Sequence, residues 1–387
     1  MIRYCLRCLL PATKPELQFD ERGHCSACYR FDARDNINWS SRWSQLEAIV
    51  EEQRKKQRRW DCIVPVSGGK DSTSQVLVAL ELGLRPLAVT ATTCDLSELG
   101  RRNLENIARL GVDHVVVSPN KRVRAALNRI GLLEVGDISW PEHVGIFTIP
   151  VQVAVERQID LILWGENSQN EYGAGTDEAA SRPILDRRWL EEHGGLLGLR
   201  VSDLTDVYGI PPELLAPYRY PDPDDLEQLG VRGLFLGHYM PWDGRANMER
   251  ARLHGFAVAD VEVEGTGVNY ENLDNYQTGI HDYFKYLKFG FGRATDIMSV
   301  WIRRGWITRE VAADVVARTD GRFPHTYLGE PLAEILGRID LSQKQFDQAC
   351  DKFTNRRLFV TDSENVLLRR PDGSPKRLND DNPASAG

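Results

Sequence analysis

Six consecutive residues have the composition of a loop that binds phosphate. Residues 67–72 read SGGKDS and follow a short apolar run of strand length. Gly68 and Gly69 allow the backbone to bend so that successive N–H groups face one anion, and the N-terminus of a following helix adds its positive dipole end. Lys70 adds a cation, and the serines add hydroxyl donors. Because the Asp71 carboxylate would repel an anion, we expect it to help hold Mg²⁺ or to fix the loop.

The spacing of these residues is not that of a Walker A loop. That motif separates a first glycine by four residues from its Gly-Lys pair and places serine or threonine after the lysine. Here Val64 stands at the first position and Asp71 at the last. A tight turn without a ligand would explain the two glycines but not the serines, Lys70 and Asp71 together. The composition therefore favours a phosphate site.

Four of the seven cysteines are clustered near the N-terminus. Cys5, Cys8, Cys25 and Cys28 form two C-x2-C pairs separated by sixteen residues. Each pair offers two thiolates to one ion, and two pairs complete a tetrahedral sulfur shell with the spacing of a zinc ribbon. We predict a structural Zn²⁺ site, with an iron–sulfur cluster or a redox pair as the alternatives. A closed shell leaves no open position for catalysis, so the site would hold a small lobe together.

Short apolar runs alternate with helical patterns on both sides of the phosphate loop. Strands are expected near residues 60–66, 86–93, 113–118, 160–164 and 233–239, with helices between them. This alternation predicts an α/β protein with a doubly wound, parallel, five-stranded sheet that is covered on both faces. Ligands of open sheets collect at the carboxyl ends of the strands, which is where the loop lies.

The rest of the chain divides by composition. We predict a zinc-binding module at residues 1–35, the α/β domain at 36–258 with an irregular insertion near 171–230, and a C-terminal helical region at 259–370 in which strand patterns stop. Residues 371–387 read PDGSPKRLNDDNPASAG. This composition is typical of a disordered tail.

Composition and charge exclude several classes of protein. The chain has 387 residues, of which 42% are hydrophobic, and no apolar run approaches the roughly 20 residues that a membrane helix needs. The 48 basic and 56 acidic residues leave a net charge of −8, whereas nucleic-acid binding proteins usually carry a basic excess. Arg3 and Arg7 interrupt the apolar stretch at the N-terminus, which is not the pattern of a secretion signal. We expect a cytoplasmic protein that binds no nucleic acid and does not insert into membranes.

The SGGKDS loop after an apolar strand resembles the pyrophosphate loop of the N-type ATP pyrophosphatases, the PP-loop superfamily with the HUP fold, over about residues 58–170. The resemblance implies that ATP is cleaved to AMP and pyrophosphate and that AMP is attached to a carbonyl oxygen of the substrate. It implies ATP and Mg²⁺ as ligands, with Lys70 and Asp71 as catalytic residues. The residues implied in ATP binding are Ser67, Gly68, Gly69, Lys70, Asp71 and Ser72 in the loop and Thr90, Ala91 and Thr92 at the end of the second strand.

Further stretches resemble one family of that superfamily, the bacterial N-acetyl sugar amidotransferases of surface-polysaccharide and flagellin-glycan synthesis. Besides the four cysteines and SGGKDS, they are LGRRNLENI at 99–107, GDISWPEHVGIFTIP at 136–150, GENSQNEYG at 165–173, FLGHYMPWDG at 235–244 and HDYFKYLKFGFGRATD at 281–296. Each stretch is weak alone, but together they are specific and span nearly the whole chain.

The family resemblance implies a reaction and its partners. An acetamido group on a nucleotide-linked or free sugar becomes an acetamidino group, in lipopolysaccharide O-antigen or flagellin glycan biosynthesis. ATP adenylates the amide oxygen, and ammonia displaces AMP. The ammonia would come from a glutaminase subunit with a cyclase-like partner, a pair that resembles imidazole glycerol phosphate synthase. The chain agrees, because residue 2 is isoleucine and Cys62, Cys94 and Cys350 are not in the context of a glutaminase nucleophile.

Glu166, Asn167 and His143 are candidates for substrate contact and proton transfer. By the resemblance, Glu166 and Asn167 follow the fourth strand, where they would contact the sugar or ATP, and Glu166 is expected to be catalytic. A carboxylate at a helix N-terminus would explain Glu166 equally well. His143 is a candidate general base, because attack by ammonia requires the removal of a proton. A lone histidine is also often structural.

A basic helical face is the candidate sugar site. His281, Lys285 and Lys288 recur at helical spacing and share a face, and Arg293 follows near the start of the next helix. A basic face beside a helix N-terminus would bind a nucleotide-sugar diphosphate or a uronate. The alternative is a solvated amphipathic helix whose apolar side is core.

Two other functions are open at this point. A PP-loop tRNA or small-molecule thiolase would transfer sulfur, with Cys94 as a lone carrier, but the chain has no second cysteine pair and is acidic. A zinc-ribbon scaffold with a degenerate nucleotide site would need no intact loop, whereas SGGKDS is complete.

Overall fold

A six-stranded sheet forms the centre of the computed structural model, which describes residues 2–93, 95–165, 184–185 and 198–378. The strands are β1 (Cys62–Pro65), β2 (Pro86–Ala91), β3 (Asp113–Val117), β4 (Leu161–Trp164), β5 (Ile184–Leu185) and β6 (Arg232–Phe235). Five parallel strands lie in the order β3-β2-β1-β4-β6, and β5 pairs antiparallel with β6 at one edge. The predicted α/β fold with five parallel strands is confirmed. The sixth strand has two residues, too few to leave a pattern in the sequence.

Helices cover both faces of the sheet because its central strands are apolar on both sides. Successive side chains of a strand point to opposite faces. Accordingly, Cys62 and Val64 pack with the helices of one face and Ile63 with the helix of the other, and all three are fully buried. The helices of the first face are α2 (Trp39–Lys55), α3 (Lys70–Glu81) and α4 (Glu98–Arg109), and α6 (Trp140–Arg157) covers the second.

Several elements differ from the pattern in the sequence. The fifth predicted strand ends at Phe235, and the helix α9 (Leu236–Tyr239) replaces its second half. The insertion predicted to be irregular contains, among its described residues, helices α7 (Val201–Asp206) and α8 (Pro223–Leu229) and a 3-10 helix at Pro212–Tyr218. The N-terminus of helix α8 is stabilised by neighbouring residues. The side chain of Asp222 accepts the N–H of Asp224 at 2.9 Å, and proline occupies the first helical position.

The C-terminal region is mainly helical and shares a core with the α/β part. Its helices are α11 (Thr278–Phe289), α12 (Arg293–Arg303), α13 (Arg309–Thr319), α14 (Leu332–Gly337) and α15 (Gln343–Phe353). A two-stranded hairpin of β7 (Thr326–Tyr327) and β8 (Glu330–Pro331) interrupts them, although no strand was expected there. Phe284 and Phe346 are fully buried in a core that also includes Leu132 of α5 (Lys121–Val135) and Ala251 of α10 (Gly244–Leu253).

The four-cysteine module packs against helix α12. It contains helix α1 (Ser26–Ala33), and Leu9 is buried with Ile297 and Met298 of α12. The hydroxyl of Ser299 donates to the carbonyl of Cys8, and the hydroxyl of Thr13 donates to the carbonyl of Phe289 at 2.5 Å. The module therefore contacts the middle of α12 and the last residue of α11.

Residues 371–378 are ordered, in contrast to the disordered tail expected from their composition. Phe359 and Arg377 form one antiparallel bridge, and Arg369 and Pro375 form another. The guanidinium of Arg377 donates to the hydroxyls of Tyr286 and Tyr4 at 3.1 and 2.9 Å. Turn residues joined by such contacts are ordered despite their polar composition. Residues 379–387 lie outside the described residues.

Within the described part of the chain, no helix combines the length and the apolar character needed to cross a membrane.

Candidate active site

The phosphate loop connects β1 to α3 and is held by hydrogen bonds among its own residues. Gly68 has a φ of +84°, in the left-handed region, and a Cβ at this position would lie 2.7 Å from the backbone nitrogen of Leu104 in α4. Gly69 is extended and precedes the first helical residue, Lys70. The hydroxyl of Ser72 donates to the carbonyl of Gly69 at 3.0 Å. The loop thus requires glycine at Gly68 for two reasons, its conformation and its contact with α4.

Lys70 lies between two carboxylates. Its Nζ is 2.5 Å from Asp71 and 2.7 Å from Glu271, and only 9% of its side chain is exposed. Burial opposes the charged ammonium, but Asp71 and Glu271 outweigh burial and hold the pKa of Lys70 well above its usual range. Asp71 also accepts the amide of Asn247 at 2.8 Å. Glu271 was not identified from the sequence, because it lies in an irregular loop 201 positions after Lys70, with no local signal.

Two adjoining cavities meet at this loop. A cavity of about 160 Å³ is lined by all six loop residues and by Glu271, Asn272 and Asp274. A larger cavity of about 500 Å³ extends from Ser67, Asp71 and Ser72 along the end of β2 to helices α6 and α11. The predicted site residues that line the larger cavity are Ser67, Asp71, Ser72, Thr90, Ala91, Thr92, His143, His281 and Arg293. The structure therefore brings together residues that are more than 200 positions apart in the sequence.

The walls of the larger cavity differ in character. Phe147 and Trp164 contribute aromatic rings whose centroids are 5.4 Å apart. Thr90 is tied into the sheet, because its hydroxyl donates to the carbonyl of Val66 at 2.8 Å. Gly165, at the end of β4, also lines the cavity. The predicted substrate residues Glu166 and Asn167 follow Gly165 but lie outside the described residues, as does Cys94.

A buried carboxylate holds the two histidines of the cavity. Asp137 accepts a hydrogen bond from Nδ1 of His143 through one oxygen and from Nδ1 of His281 through the other, both at 2.9 Å. Its side chain is only 4% exposed. Burial would raise the pKa of Asp137, but the two histidines outweigh it and lower that pKa well below its usual range. Asp137 is another residue that the sequence did not single out, because nothing in it links position 137 to position 281.

The predicted basic face of α11 does not form one surface toward the cavity. His281 and Arg293 line the cavity, but Lys285 and Lys288 do not. Lys285 pairs with the buried Asp296, and Lys288 donates to the carbonyl of Gly136 at 2.9 Å. The part of the face that carries Lys285 and Lys288 is packed against other elements rather than open to a ligand.

The N-terminus of α12 is also occupied, contrary to its predicted use as an anion site. Asp320 accepts the backbone N–H groups of Gly292 and Ala294 at 2.7 and 3.1 Å, and the hydroxyl of Thr295 at 2.6 Å. A carboxylate from the same chain thus takes the place expected for a sugar diphosphate.

Replacing Lys285 with alanine is expected to lower stability rather than sugar affinity. Lys285 and Lys14 outweigh the burial of Asp296 and lower the pKa of that carboxyl to about 2. Removing Lys285 would leave the buried Asp296 with the more distant Lys14, at 3.8 Å, as an ion-pair partner, so we expect a loss of up to about 3 kcal/mol in the free energy of unfolding. Urea unfolding measures the loss, with Lys344→Ala, an exposed lysine, as the control. Unchanged stability with a raised KM for the sugar would instead place Lys285 in the sugar site.

The four N-terminal cysteines form the predicted cluster. All are fully buried, and the Sγ–Sγ distances are 3.4 Å for Cys8–Cys25 and 3.7 Å for both Cys5–Cys28 and Cys25–Cys28. None of the four forms a disulfide. A tetrahedral shell with Zn–S bonds of about 2.3 Å has sulfur atoms about 3.8 Å apart. The backbone N–H groups of Cys8 and Cys25 donate to the sulfur of Cys5 at 3.5 and 3.3 Å, which stabilises a thiolate. The cluster fits Zn²⁺ by donor type and spacing.

Comparison with known proteins gives one family match. Residues 264–370 match the family model described as "LPS biosynthesis protein WbpG-like, C-terminal domain". The matched region contains helices α11 to α15 and supplies Glu271, Asp274, His281 and Arg293 to the two cavities. The resemblance to proteins of surface-polysaccharide synthesis is confirmed for residues 264–370.

No curated protein matches the chain in sequence. Among solved structures, the NMN synthetase from Francisella tularensis is similar, with 14% sequence identity and a TM-score of 0.27, over 58% of this chain and 98% of that chain.

Proposed function

We propose that the chain is an ATP-dependent sugar amidotransferase, because residues 264–370 match a family model of WbpG-like LPS biosynthesis proteins and line the same cavity as the phosphate loop. It would convert an acetamido group of a nucleotide-linked sugar into an acetamidino group, in the synthesis of O-antigen or flagellin glycan. ATP would adenylate the amide oxygen, and ammonia would displace AMP.

One observation carries the proposal. A single cavity of about 500 Å³ joins the phosphate loop, the end of β2 and the two histidines held by Asp137. Adenylation followed by amine attack needs a phosphate site, space for the acceptor and a proton acceptor within one enclosure. The region matched by the WbpG-like family model supplies Asn272, Asp274, Asn275, Thr278, His281 and Arg293 to the lining of this cavity, which supports a sugar of surface polysaccharides as the acceptor.

The loop region has the donors that ATP with Mg²⁺ requires. Mg²⁺ prefers carboxylate oxygens and neutralises phosphate charge when bound. Asp71 and Glu271 offer such oxygens beside Lys70, and Asp274 lines the same small cavity. Trp164 and Phe147 offer aromatic surface to the adenine in the larger cavity. These residues would hold the nucleotide with its γ-phosphate end toward the small cavity.

The source of ammonia is proposed to be a separate glutaminase with its cyclase-like partner. The six cysteines in the described part of the chain are fully buried, and none lines either cavity. A glutaminase needs an accessible thiolate as its nucleophile. The described residues therefore support an enzyme that receives ammonia rather than one that releases it from glutamine.

The test is an assay of the purified full-length chain with Mg-ATP and an ammonium salt. One arm contains nucleotide-linked acetamido sugars, and the other contains unmodified tRNA. AMP, pyrophosphate and the mass of each acceptor are measured. We expect AMP and pyrophosphate only with a sugar, and a sugar product in which NH has replaced oxygen.

The Asp71→Asn variant separates this activity from a contaminant. Its loss of the Lys70 ion pair should abolish AMP formation, whereas Asp314→Asn, an exposed aspartate of α13, should retain it. AMP that forms only with tRNA would contradict the proposal and favour thiolation with Cys94 as the carrier.

A further inference from the structure

Asp137 binds the Nδ1 atoms of two histidines that lie in different elements. His143 lies in α6 and His281 in α11, and their ring centroids are 5.1 Å apart at an interplanar angle of 78°. Each ring directs Nδ1 at a different oxygen of Asp137, at 2.9 Å. The side chains of His143 and His281 are 33% and 22% exposed, and both line the large cavity. One carboxylate thus anchors a pair of imidazoles at the cavity wall.

The charge of Asp137 sets the tautomer of both rings. An ionised carboxylate accepts hydrogen bonds and donates none. Both Nδ1 atoms must therefore carry the hydrogen, so in each neutral ring the lone pair is on Nε2. Nε2 lies on the side of the ring away from Asp137. The pair is arranged to accept protons at two nitrogen atoms.

The reaction proposed above releases two protons. The balanced equation is R–NH–C(=O)–CH₃ + ATP⁴⁻ + NH₄⁺ → R–NH–C(=NH₂⁺)–CH₃ + AMP²⁻ + P₂O₇⁴⁻ + 2 H⁺. The carbon–oxygen bond of the acetamido group breaks, its oxygen leaves with AMP, and a carbon–nitrogen bond forms. Ammonium must lose one proton before its nitrogen can attack, and a second proton leaves as the amidinium forms. One basic group can accept only one of these protons at a time.

We propose that His143 and His281 are the paired proton acceptors of amide transfer and that Asp137 is the residue that positions both. The proposal rests on the amidotransferase function. It assigns His281, which the sequence placed in the sugar site, to proton transfer, and it assigns a role to Asp137.

The charges around the pair agree with this role. Burial opposes protonation of His143, but Asp137 and Glu142 outweigh burial and raise its pKa above its usual value. The charged groups that face the pair are Asp137, Glu142, Arg293 and Lys288. Arg293 opposes the protonation of His143, but its effect on the pKa is smaller than that of Asp137 and Glu142. Amide transfer should therefore fall as the pH decreases through a value above about 6.5, the ordinary pKa of histidine.

The experiment compares adenylation with amide transfer in His143→Asn and His281→Asn. The asparagine amide can still donate to Asp137 but has no basic nitrogen. Pyrophosphate exchange into ATP, which reports adenylation, should remain within about threefold of the wild type. The amidino sugar formed per AMP released should fall by on the order of 10²-fold or more. His254→Gln, an exposed histidine outside the cavity, is the matched control.

Asp137→Asn tests positioning separately. Its amide would donate to one Nδ1 and reverse the tautomer of that ring, so amide transfer should fall by a comparable factor. The acidic limb of the pH profile, with rates corrected for the ammonia present at each pH, should shift in this variant. Unchanged KM for the sugar would separate this loss from a loss of binding. If Asp137→Asn does not fold, the two histidine variants decide the question.

Three results would overturn the inference. Histidine variants that form amidino sugar at the wild-type ratio to AMP would show that the pair accepts no proton. A divalent metal bound in stoichiometric amount to the wild type and lost in these variants would show a metal site instead. Wild-type protein that forms no sugar-dependent AMP would refute the proposed function and the inference with it, before any variant is made.

Discussion

Replacing Gly68 with alanine is expected to abolish AMP formation and to lower stability. The φ of +84° costs an L-residue roughly 1–2 kcal/mol. The new Cβ would also lie 2.7 and 2.9 Å from the backbone nitrogen and Cα of Leu104, which cannot rotate away. The loop or helix α4 must therefore shift, and a misplacement of about 1 Å can reduce the rate by about 10²-fold. Melting temperature and AMP release with the sugar acceptor measure the two effects.

The neighbouring glycine provides a matched control. Gly69 has an ordinary φ of −70°, and a Cβ there would contact only the hydroxyl of Ser67, at 3.3 Å. The serine side chain can rotate, so Gly69→Ala should keep the melting temperature of the wild type. Equal losses of stability in the two variants would show that the conformation of Gly68 and its contact with α4 are unimportant.

Replacing Cys8 with serine is expected to remove the bound metal and to destabilise the N-terminal module. We propose Zn²⁺ as that metal, because four thiol groups with Sγ–Sγ distances of 3.4 to 3.7 Å fit a tetrahedral shell. Structural zinc contributes apparent binding energies on the order of 10 kcal/mol to small modules. The variant should contain less than stoichiometric zinc and should unfold at lower temperature.

The effect should extend to helix α12. Leu9 and the carbonyl of Cys8 contact α12 itself, and Thr13 donates to the carbonyl of Phe289 just before it. Arg293, the first residue of α12, lines the large cavity. Hydrogen exchange of residues 293–303 should therefore increase in Cys8→Ser or on treatment with a strong chelator. Cys350→Ser replaces another fully buried cysteine outside the cluster and should retain zinc. Elemental analysis that finds iron, or full zinc in Cys8→Ser, would contradict the assignment.

The sequence predicted the features that depend on neighbouring residues. The SGGKDS loop, the paired C-x2-C motifs and the alternation of strands and helices are local patterns, and the structure has the loop, the cysteine cluster and the parallel sheet. The sequence pattern did not predict the shortest strands. The two-residue strands are too short to show a period: β5 pairs with the distant strand β6, and β7 pairs with its neighbour β8 in a hairpin.

Helical periodicity showed which residues share a face but not what that face meets. His281, Lys285 and Lys288 recur on one side of α11, and the sequence predicted a common ligand for them. In the structure His281 meets Asp137, Lys285 meets Asp296, and Lys288 meets the carbonyl of Gly136. A buried lysine must be paired, so the packing of α11 decided that two of these residues do not line the cavity.

The sequence by itself identified the phosphate loop and the group of four cysteines, because the residues of each lie close together in the chain. Only the tertiary structure decided which distant residues complete the site. Glu271 reaches Lys70, and Asp137 reaches both His143 and His281, across gaps of up to 201 positions. The cost of leaving a buried charge without a partner selects these contacts, and that cost depends on the neighbours that folding brings together rather than on the order of residues in the chain.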